Sequence, residues 1–350
     1  MGAISKIPKL DTLVIELTNK CNERCKHCYI PDIVKSVSTD ISYEKISAII
    51  NEFVEMGGEN ILLTGGEILL CENLLAILDY VHSKGLWIAL FFNGLTLTDD
   101  HIYKFKEVGV NDIQVSLYSV NPVVHDSITK VKGSCEKTKK SIERLIDSGL
   151  PVRIACSVIK DNMNEICELL DYTLRLNLML SLEFNIIARE DKSSDNLKYR
   201  MSPEDLESCF RVLAKHNPDF TKKLLLRIDR AKKIKDNYEE FLNGPVCGAA
   251  QNMLYITSDN KYSICPGWVI EDDKSDLRLS LKDFWEKNEF LNEVRNKKER
   301  SFPKCVDCEA LDYCVRCFAR NHLETGDYTN PPDFACQYAF IAKKVFESIK

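Results

Sequence analysis

The sequence lacks the features that would place the protein in a membrane, outside the cell or on a nucleic acid. No uninterrupted apolar run approaches the ~20 residues needed to cross a bilayer. Residues 1–10 contain Lys6 and Lys9 but no apolar stretch typical of a signal peptide. The net charge of −6 provides no basic excess for a polyanion, and the 350 residues contain no solenoid-type repeat. We therefore expect a cytoplasmic protein that binds neither membrane nor nucleic acid.

Cysteine, in contrast, is abundant, with 15 residues in the chain. Disulfides are rare in a reducing compartment, and an odd number fits complete pairing poorly, so metal thiolates are the better explanation. Ten of these cysteines form two separate sets. The sets are Cys21, Cys25 and Cys28, and then Cys247, Cys265, Cys305, Cys308, Cys314, Cys317 and Cys336. The others, Cys71, Cys135, Cys156, Cys167 and Cys209, are expected to be small buried side chains.

The first set, which we call the triad, has Cx3CxxC spacing and follows a short apolar run. Three thiolates are one fewer than the four that normally close an iron–sulfur cluster or a structural zinc site. A 4Fe–4S cluster held in this way keeps one iron free for a small molecule. The alternative is a zinc site with His27 as the fourth ligand. However, His27 is adjacent to Cys28, and neighbouring residues seldom bind one tetrahedral ion.

Short apolar runs alternate with segments of helical periodicity along the first two-thirds of the chain. Strands are predicted at 13–17, 60–64, 87–92, 112–117, 152–158 and 180–187, and helices at 43–56, 72–83, 99–107, 136–147, 164–176 and 203–216. Six consecutive βα units predict an α/β fold with a parallel sheet buried on both faces. A partial (β/α)6 TIM-like barrel and a doubly wound open sheet share this rhythm. The triad directly after the first strand favours the barrel.

Gly65, Gly66 and Glu67 follow the second predicted strand. The triad after strand one and Gly-Gly-Glu after strand two together resemble the radical S-adenosylmethionine (SAM) superfamily, in which the free iron binds SAM. The resemblance implies a partial barrel, one 4Fe–4S cluster on the triad, and SAM as cofactor. It also implies a set of SAM contacts, namely Gly65, Gly66, Glu67, Asn93, Ser116 and Asn162. The chain departs from the family pattern at Ile68, where Pro is common, and at Tyr118, where an acidic residue often stands.

The second cysteine set resembles the SPASM extension of that superfamily, a small domain with two auxiliary 4Fe–4S clusters. The resemblance implies an outer cluster on Cys305, Cys308, Cys314 and Cys336, and an inner cluster on Cys247, Cys265 and Cys317. The inner cluster then has an iron that is open to substrate or is closed by a non-cysteine ligand. Two zinc ribbons are the alternative, since paired CxxC is also a zinc signature.

These observations predict four segments. They are an N-terminal tail (1–12), the partial barrel (13–218), a connecting helical segment (219–245) and the SPASM domain (246–350). The connecting segment is rich in lysine and arginine, and it is either a solvated helix or a face that binds an acidic peptide.

The resemblance implies an enzyme that generates a 5′-deoxyadenosyl radical to modify a peptide or small protein. A tetrapyrrole substrate is the alternative, and a non-catalytic electron carrier is the alternative from another class. Pro266 stands where sulfatase maturases carry an aspartate, which argues against that branch. The expected partner is a ferredoxin- or flavodoxin-type electron donor. Because strand one begins near Leu13, a leader-peptide-binding protein is expected to be either a separate partner or unnecessary. The sequence assigns no catalytic acid or base.

Overall fold

The computed structural model describes residues 7–32, 34, 39–268, 275 and 278–349. Within these residues, one eight-stranded sheet is surrounded by helices. The strands are β1 (Thr12–Glu16), β2 (Asn60–Thr64), β3 (Trp87–Phe92), β4 (Asp112–Ser116), β5 (Val152–Ser157), β6 (Met179–Glu183), β7 (Met253–Ile256) and β8 (Tyr262–Ser263). The helices of the first half are α1 (Tyr43–Glu55), α2 (Leu74–Ser83), α3 (Asp99–Glu107), α4 (Pro122–Thr129), α5 (Ser134–Asp147) and α6 (Ile166–Arg175). Those of the second half are α7 (Pro203–His216), α8 (Pro218–Leu225), α9 (Ile228–Asp236), α10 (Tyr238–Leu242), α11 (Leu281–Lys287), α12 (Glu289–Asn296), α13 (Phe318–Thr325) and α14 (Asp333–Ser348).

The strand order is β6-β5-β4-β3-β2-β1-β7-β8, with β1 to β6 parallel and each paired to its neighbour in sequence. A doubly wound sheet reverses its strand order at a switch point. Here the order of the first six strands does not reverse, so the structure confirms the α/β partial barrel and removes the open-sheet alternative. β7 pairs in parallel with the other side of β1, and β8 is antiparallel to β7.

Local sequence chemistry explains most of the element boundaries. The side chain of Ser42 accepts a hydrogen bond from the Lys45 amide and so begins α1. Thr98 and Ser202 form capping boxes at α3 and α7, and Pro203 occupies the first turn of α7. The strand interiors are apolar and largely buried, since helices cover the sheet.

The structure also corrects the sequence predictions at several elements. Helix α4 was not predicted; Asn121 caps it and Pro122 begins it. The predicted strand at 180–187 ends at Glu183. The connecting segment forms three short helices, α8 to α10, instead of one, because asparagines at 217 and 237 cap new helix starts.

The C-terminal region is attached to the barrel through several contacts. Tyr255 of β7 donates a hydrogen bond to the buried Glu16 carboxylate at 2.6 Å. Helix α14 packs on α7, where the ring of Tyr338 lies 5.6 Å from that of Phe210. The sheet therefore continues across the proposed boundary at 245/246, and the four-segment division remains a prediction. None of the described helices is long and apolar enough to cross a bilayer.

Candidate active site

A cavity of about 440 Å³ opens at the carboxyl ends of the barrel strands. Its lining combines the triad loop, the strand ends and part of the C-terminal region. The residues that matter for the argument are Cys21, Glu23, Cys25, His27, Cys28, Gly65, Gly66, Asn93, Ser116, Tyr118, Glu183, Asn185, Cys317 and Arg320. Parallel barrels build active sites at this edge because the loops after the strands converge there.

Backbone contacts hold the triad loop against the end of β2. The Gly66 amide donates to the Thr18 carbonyl at 2.8 Å, and the Glu67 amide donates to the Lys20 carbonyl at 2.7 Å. A Cβ at Gly66 would lie 2.2 Å from the Lys20 carbonyl oxygen. Glycine is thus required because the two backbones touch. Beyond β6, Arg189 donates to the carbonyls of Cys28 and Ile30, which fixes the other end of the loop.

The three triad thiols lie close together on the cavity wall. Burial raises the pKa of Cys25 well above its usual range, and Glu23, Cys28 and Cys21 add to this effect as neighbouring negative groups. Binding to iron as thiolates relieves that cost, since the metal replaces the proton. In the described part of the chain, no three His, Cys, Asp or Glu side chains are arranged around a single ion. Each thiolate of a 4Fe–4S cluster bonds a different iron, so the triad suits a cluster better than zinc.

Glu67 does not line the cavity. Its side chain is 1% exposed, and its two carboxylate oxygens accept hydrogen bonds from the amides of Leu69 at 3.0 Å and Asn93 at 2.7 Å. Burial raises its pKa to about 7, although these hydrogen bonds partly oppose the shift. Glu67 therefore joins the end of β2 to the end of β3. Of the Gly-Gly-Glu motif, only the two glycines, Gly65 and Gly66, line the cavity.

Asn93 and Ser116 line the cavity, whereas Asn162 does not. The side-chain nitrogen of Asn93, Nδ2, donates to Asn22 Oδ1 at 2.7 Å, which ties the end of β3 to the triad loop. Asn162 is fully buried, and its amide nitrogen donates to the Tyr118 and Ser157 carbonyls at 2.9 and 3.1 Å. In this structure Asn162 stabilises the turn after β5, so SAM contact by Asn162 requires a rearrangement.

Tyr118 fills the space behind the triad. Its hydroxyl accepts a hydrogen bond from the Cys25 thiol at 3.8 Å, and its ring packs edge-on against His27. On the other side Tyr118 stacks on His125, whose pKa burial lowers to about 4. At position 118, where members of the resembled family often carry an acidic residue, this chain has an aromatic ring that packs against His27 and His125.

Two groups of neighbouring thiols occur in the described C-terminal region. Burial raises the pKa of Cys305 to about 11, and the neighbouring thiols that contribute are Cys314, Cys336 and Cys308. Burial likewise raises the pKa of Cys265, and the thiols near it are Cys317 and Cys247. The outer and inner ligand sets remain a prediction, with which these proximities agree. Of the C-terminal cysteines, Cys317 lines the cavity, so this thiol and the triad face one space.

Sequence reasoning missed three polar residues on the far wall, Glu183, Asn185 and Arg320. Glu183 ends β6 and Asn185 follows it, so the rule that sites form at strand ends predicts both. Arg320 comes from α13, three residues after Cys317, and the sequence contained no comparable signal.

The comparisons with known proteins agree with this geometry. Residues 15–173 match the family model described as "Radical SAM superfamily". The AdoMet-dependent heme synthase of Methanosarcina barkeri is 26% identical over 94% of this chain and 96% of its own. The antilisterial bacteriocin subtilosin biosynthesis protein AlbA of Bacillus subtilis is 37% identical over 43% of this chain and 34% of its own.

Among solved structures, Streptococcus suis SuiB bound to its precursor peptide SuiA superimposes with a TM-score of 0.72. The match covers 94% of this chain and 76% of that one at 15% identity, so it concerns the fold alone. The family match over residues 15–173, the fold and a cysteine-lined cavity at the barrel mouth lead to one conclusion: the chain is an enzyme whose residues 15–173 form a radical SAM domain, and a cysteine-rich C-terminal region follows that domain.

Proposed function

We propose that this enzyme modifies a peptide or small protein by an oxidation that begins with removal of a hydrogen atom from carbon. One observation carries the proposal: the triad and Cys317 line the same cavity. A substrate in that cavity lies between the site where SAM is cleaved and a site that can accept an electron. The net reaction is then an oxidation that forms a new bond, such as a thioether or a carbon–carbon crosslink.

Each part of the site has a task that its residues fit. A 4Fe–4S cluster on Cys21, Cys25 and Cys28, with SAM bound, supplies the radical chemistry. Gly65 and Gly66 allow SAM to approach the backbone, while Asn93 and Ser116 present polar groups to it. Tyr118 and His27 narrow the cavity and exclude water from the reacting atoms.

Two observations support a peptide substrate. The cavity of about 440 Å³ has to be shared with the SAM site, which leaves room for a side chain more easily than for a whole macrocycle. AlbA, which is similar in sequence to part of this chain, is named for the biosynthesis of a bacteriocin. SuiB, which is similar in fold, was solved with a precursor peptide bound. The second candidate is a tetrapyrrole substrate, which the near full-length similarity to a heme synthase favours.

The auxiliary clusters and the partners belong to the same proposal. The outer and inner cysteine sets are proposed to hold two 4Fe–4S clusters in addition to the one on the triad. A ferredoxin- or flavodoxin-type protein is proposed to deliver the electron, and a separate protein to bind the leader segment of the peptide.

The test is an anaerobic assay of reconstituted enzyme with SAM and dithionite. We expect 5′-deoxyadenosine from the wild type and none from a variant in which Cys21, Cys25 and Cys28 are all replaced by Ala. Replacement of Cys71, a buried cysteine outside both sets, by Ala is the control and should keep the activity. Product formation by the triple variant would refute the SAM site.

Substrate class is tested in the same assay by mass spectrometry. Peptides encoded next to the gene and propionate-bearing tetrapyrroles are supplied in parallel. We expect a peptide product that has lost two hydrogen atoms. Turnover of the tetrapyrrole alone would instead establish the second candidate.

A further inference from the structure

Arg320 is a cation on the cavity wall, and within the described residues its side chain donates hydrogen bonds to neutral groups. It lies in the first turn of α13 and is 1% exposed, although it lines the cavity. Its Nη1 donates to Asn185 Oδ1 at 2.9 Å and its Nη2 to the Val315 carbonyl at 2.7 Å. Its buried Nε finds no hydrogen-bond partner within the described residues. Both partners are neutral, and no described carboxylate forms an ion pair with it.

Two of the other buried arginines in the described residues pair with carboxylates, Arg316 with Glu299 and Arg189 with Asp195. Arg295 has no carboxylate partner but stacks on the Trp285 ring at 4.1 Å. A buried charge without a counter-charge is costly, and an arriving anion offsets that cost. Arg295 does not line the cavity, so Arg320 is the one of these buried arginines that combines a place on the cavity wall with the lack of a described carboxylate partner, and this combination indicates a ligand.

Asn185 bridges Arg320 to Glu183, an acid of the cavity wall, through hydrogen bonds. The backbone and side-chain nitrogens of Asn185 donate to Glu183 Oε1 at 2.6 and 2.9 Å, while its oxygen accepts from Arg320. The amide thus lies between the two charges. It leaves the guanidinium positive at the cavity wall.

The cysteines of the auxiliary sets are the other negative groups near Arg320. Burial raises the pKa of Cys314 and of Cys336, and the charge of Arg320 opposes both shifts. Yet the donors of the side chain are directed to Asn185 and Val315, and only the backbone amide contacts a sulfur, that of Cys317 at 3.4 Å. A role in balancing cluster charge does not explain the place of Arg320 on the cavity wall.

We propose that Arg320, positioned by Asn185, binds a carboxylate of the substrate. The planar guanidinium matches a carboxylate in a two-point contact, and the dry surroundings strengthen that contact. The inference rests on the proposed function and adds to it that the substrate is an acid. The carboxylate belongs to a peptide side chain or C-terminus, or to a propionate of a tetrapyrrole. Held there, the substrate has one fixed end between the triad and Cys317.

The first experiment uses the reconstituted full-length enzyme and a pair of probes that differ in charge alone. Binding of fluorophenylacetate and fluorophenylacetamide is followed by fluorine NMR. We expect the wild type to bind the acid at least about tenfold more tightly than the amide. R320Q should lose this preference, and R320K should keep part of it. N185D should also lose it, because the new carboxylate neutralises Arg320 in place. R211Q, which removes an exposed arginine of α7, should behave like the wild type.

The source of the carboxylate is identified with two further pairs of probes. One pair is a C-terminally amidated peptide with Asp and its Asn counterpart; the other is mesoporphyrin and its dimethyl ester. The pair that shows a preference dependent on Arg320 identifies the source. SAM cleavage by the wild type is measured on the same samples, and its absence would refute the proposed function without altering the binding result.

Three results would overturn the inference. The wild type could bind acids and their neutral partners equally, or N185D could keep the full preference. R320Q and N185D could both lose auxiliary-cluster iron, which would mean that Arg320 supports the clusters instead. If R320Q loses iron and N185D does not, the inference is judged on N185D: loss of the preference for the acid supports binding by Arg320, and a full preference overturns it.

Discussion

At Gly66 the end of β2 touches the triad loop with no room for a side chain. Replacing Gly66 by Ala should separate the two backbones, because the new Cβ would lie 2.2 Å from the Lys20 carbonyl oxygen. We expect a loss of about 2 kcal/mol in unfolding free energy, a typical cost of overpacking, together with weaker SAM cleavage. Urea unfolding and 5′-deoxyadenosine formation measure the two effects.

The control for this substitution is Gly85→Ala. Gly85 has φ +70° and open space around it, so only the left-handed backbone is strained, at about 1 kcal/mol. A Gly66→Ala variant as stable and as active as Gly85→Ala would contradict the close contact.

Glu67 should make the folded protein less stable as pH rises. Burial raises its pKa from 4.5 when unfolded to about 7 when folded. Its contribution is therefore fully present below pH 4.5 and is lost as pH rises through about 7. The wild-type Tm should fall between about pH 6 and pH 8 by more than that of Glu67→Gln. Scanning calorimetry at both pH values measures this, with the exposed Glu44→Gln as control. Equal falls in the wild type and Glu67→Gln would show that Glu67 does not carry the effect.

At the scale of elements, β1 is central because it pairs with β2 on one side and β7 on the other. A chain truncated after residue 245 loses β7 and β8 and turns β1 into an exposed edge strand. Such edges promote aggregation. We expect the truncated chain to be insoluble or to unfold without cooperativity, as judged by size-exclusion chromatography and circular dichroism. A soluble, cooperatively folded fragment would show instead that the barrel is independent of the C-terminal region.

The elements that the sequence predicted well are those with both a periodic apolar pattern and clear end signals. β2, β3, α3 and α7 match their predicted bounds. The attachment of β7 to β1 could not be predicted, because pairing between distant strands leaves no local pattern. The triad and the two glycines follow predicted strands, so the sequence could place them at the barrel mouth. Arg320 reaches the cavity from a distant helix, and no local pattern reveals such a contact.

Two predicted SAM contacts lie away from the cavity lining. The resemblance to the radical SAM superfamily implied a contact by Glu67, and Asn162 was a plausible polar contact after the fifth strand. In the structure both use their polar atoms on backbone groups of neighbouring turns. A polar residue at a strand end can either contact a ligand or bond backbone groups of a neighbouring turn. It takes the second role where the fold leaves those backbone groups without another hydrogen-bond partner.

For the whole molecule, iron content distinguishes the proposed clusters from zinc. Ten cysteines in the triad and the two C-terminal sets should hold about twelve irons per chain, as about three 4Fe–4S clusters. Iron and zinc are measured by plasma mass spectrometry after anaerobic reconstitution. Replacing Cys305 and Cys308 together by Ala should remove about four irons and leave SAM cleavage without substrate in place. About four irons with stoichiometric zinc would contradict the auxiliary clusters.

The position of β1 between β2 and β7 also bears on electron tunnelling. β1 leads directly into the triad loop, and β7 begins six residues after Cys247 of the inner set. One ladder of main-chain hydrogen bonds therefore joins the strand that leads into the triad loop to the strand that follows Cys247. If the triad and the inner set hold the proposed clusters, this pairing restrains the segments that carry them, and the rate of electron tunnelling depends steeply on the distance between donor and acceptor. Exchange of side chains in the cavity loops would then change the substrate while this distance stays nearly constant.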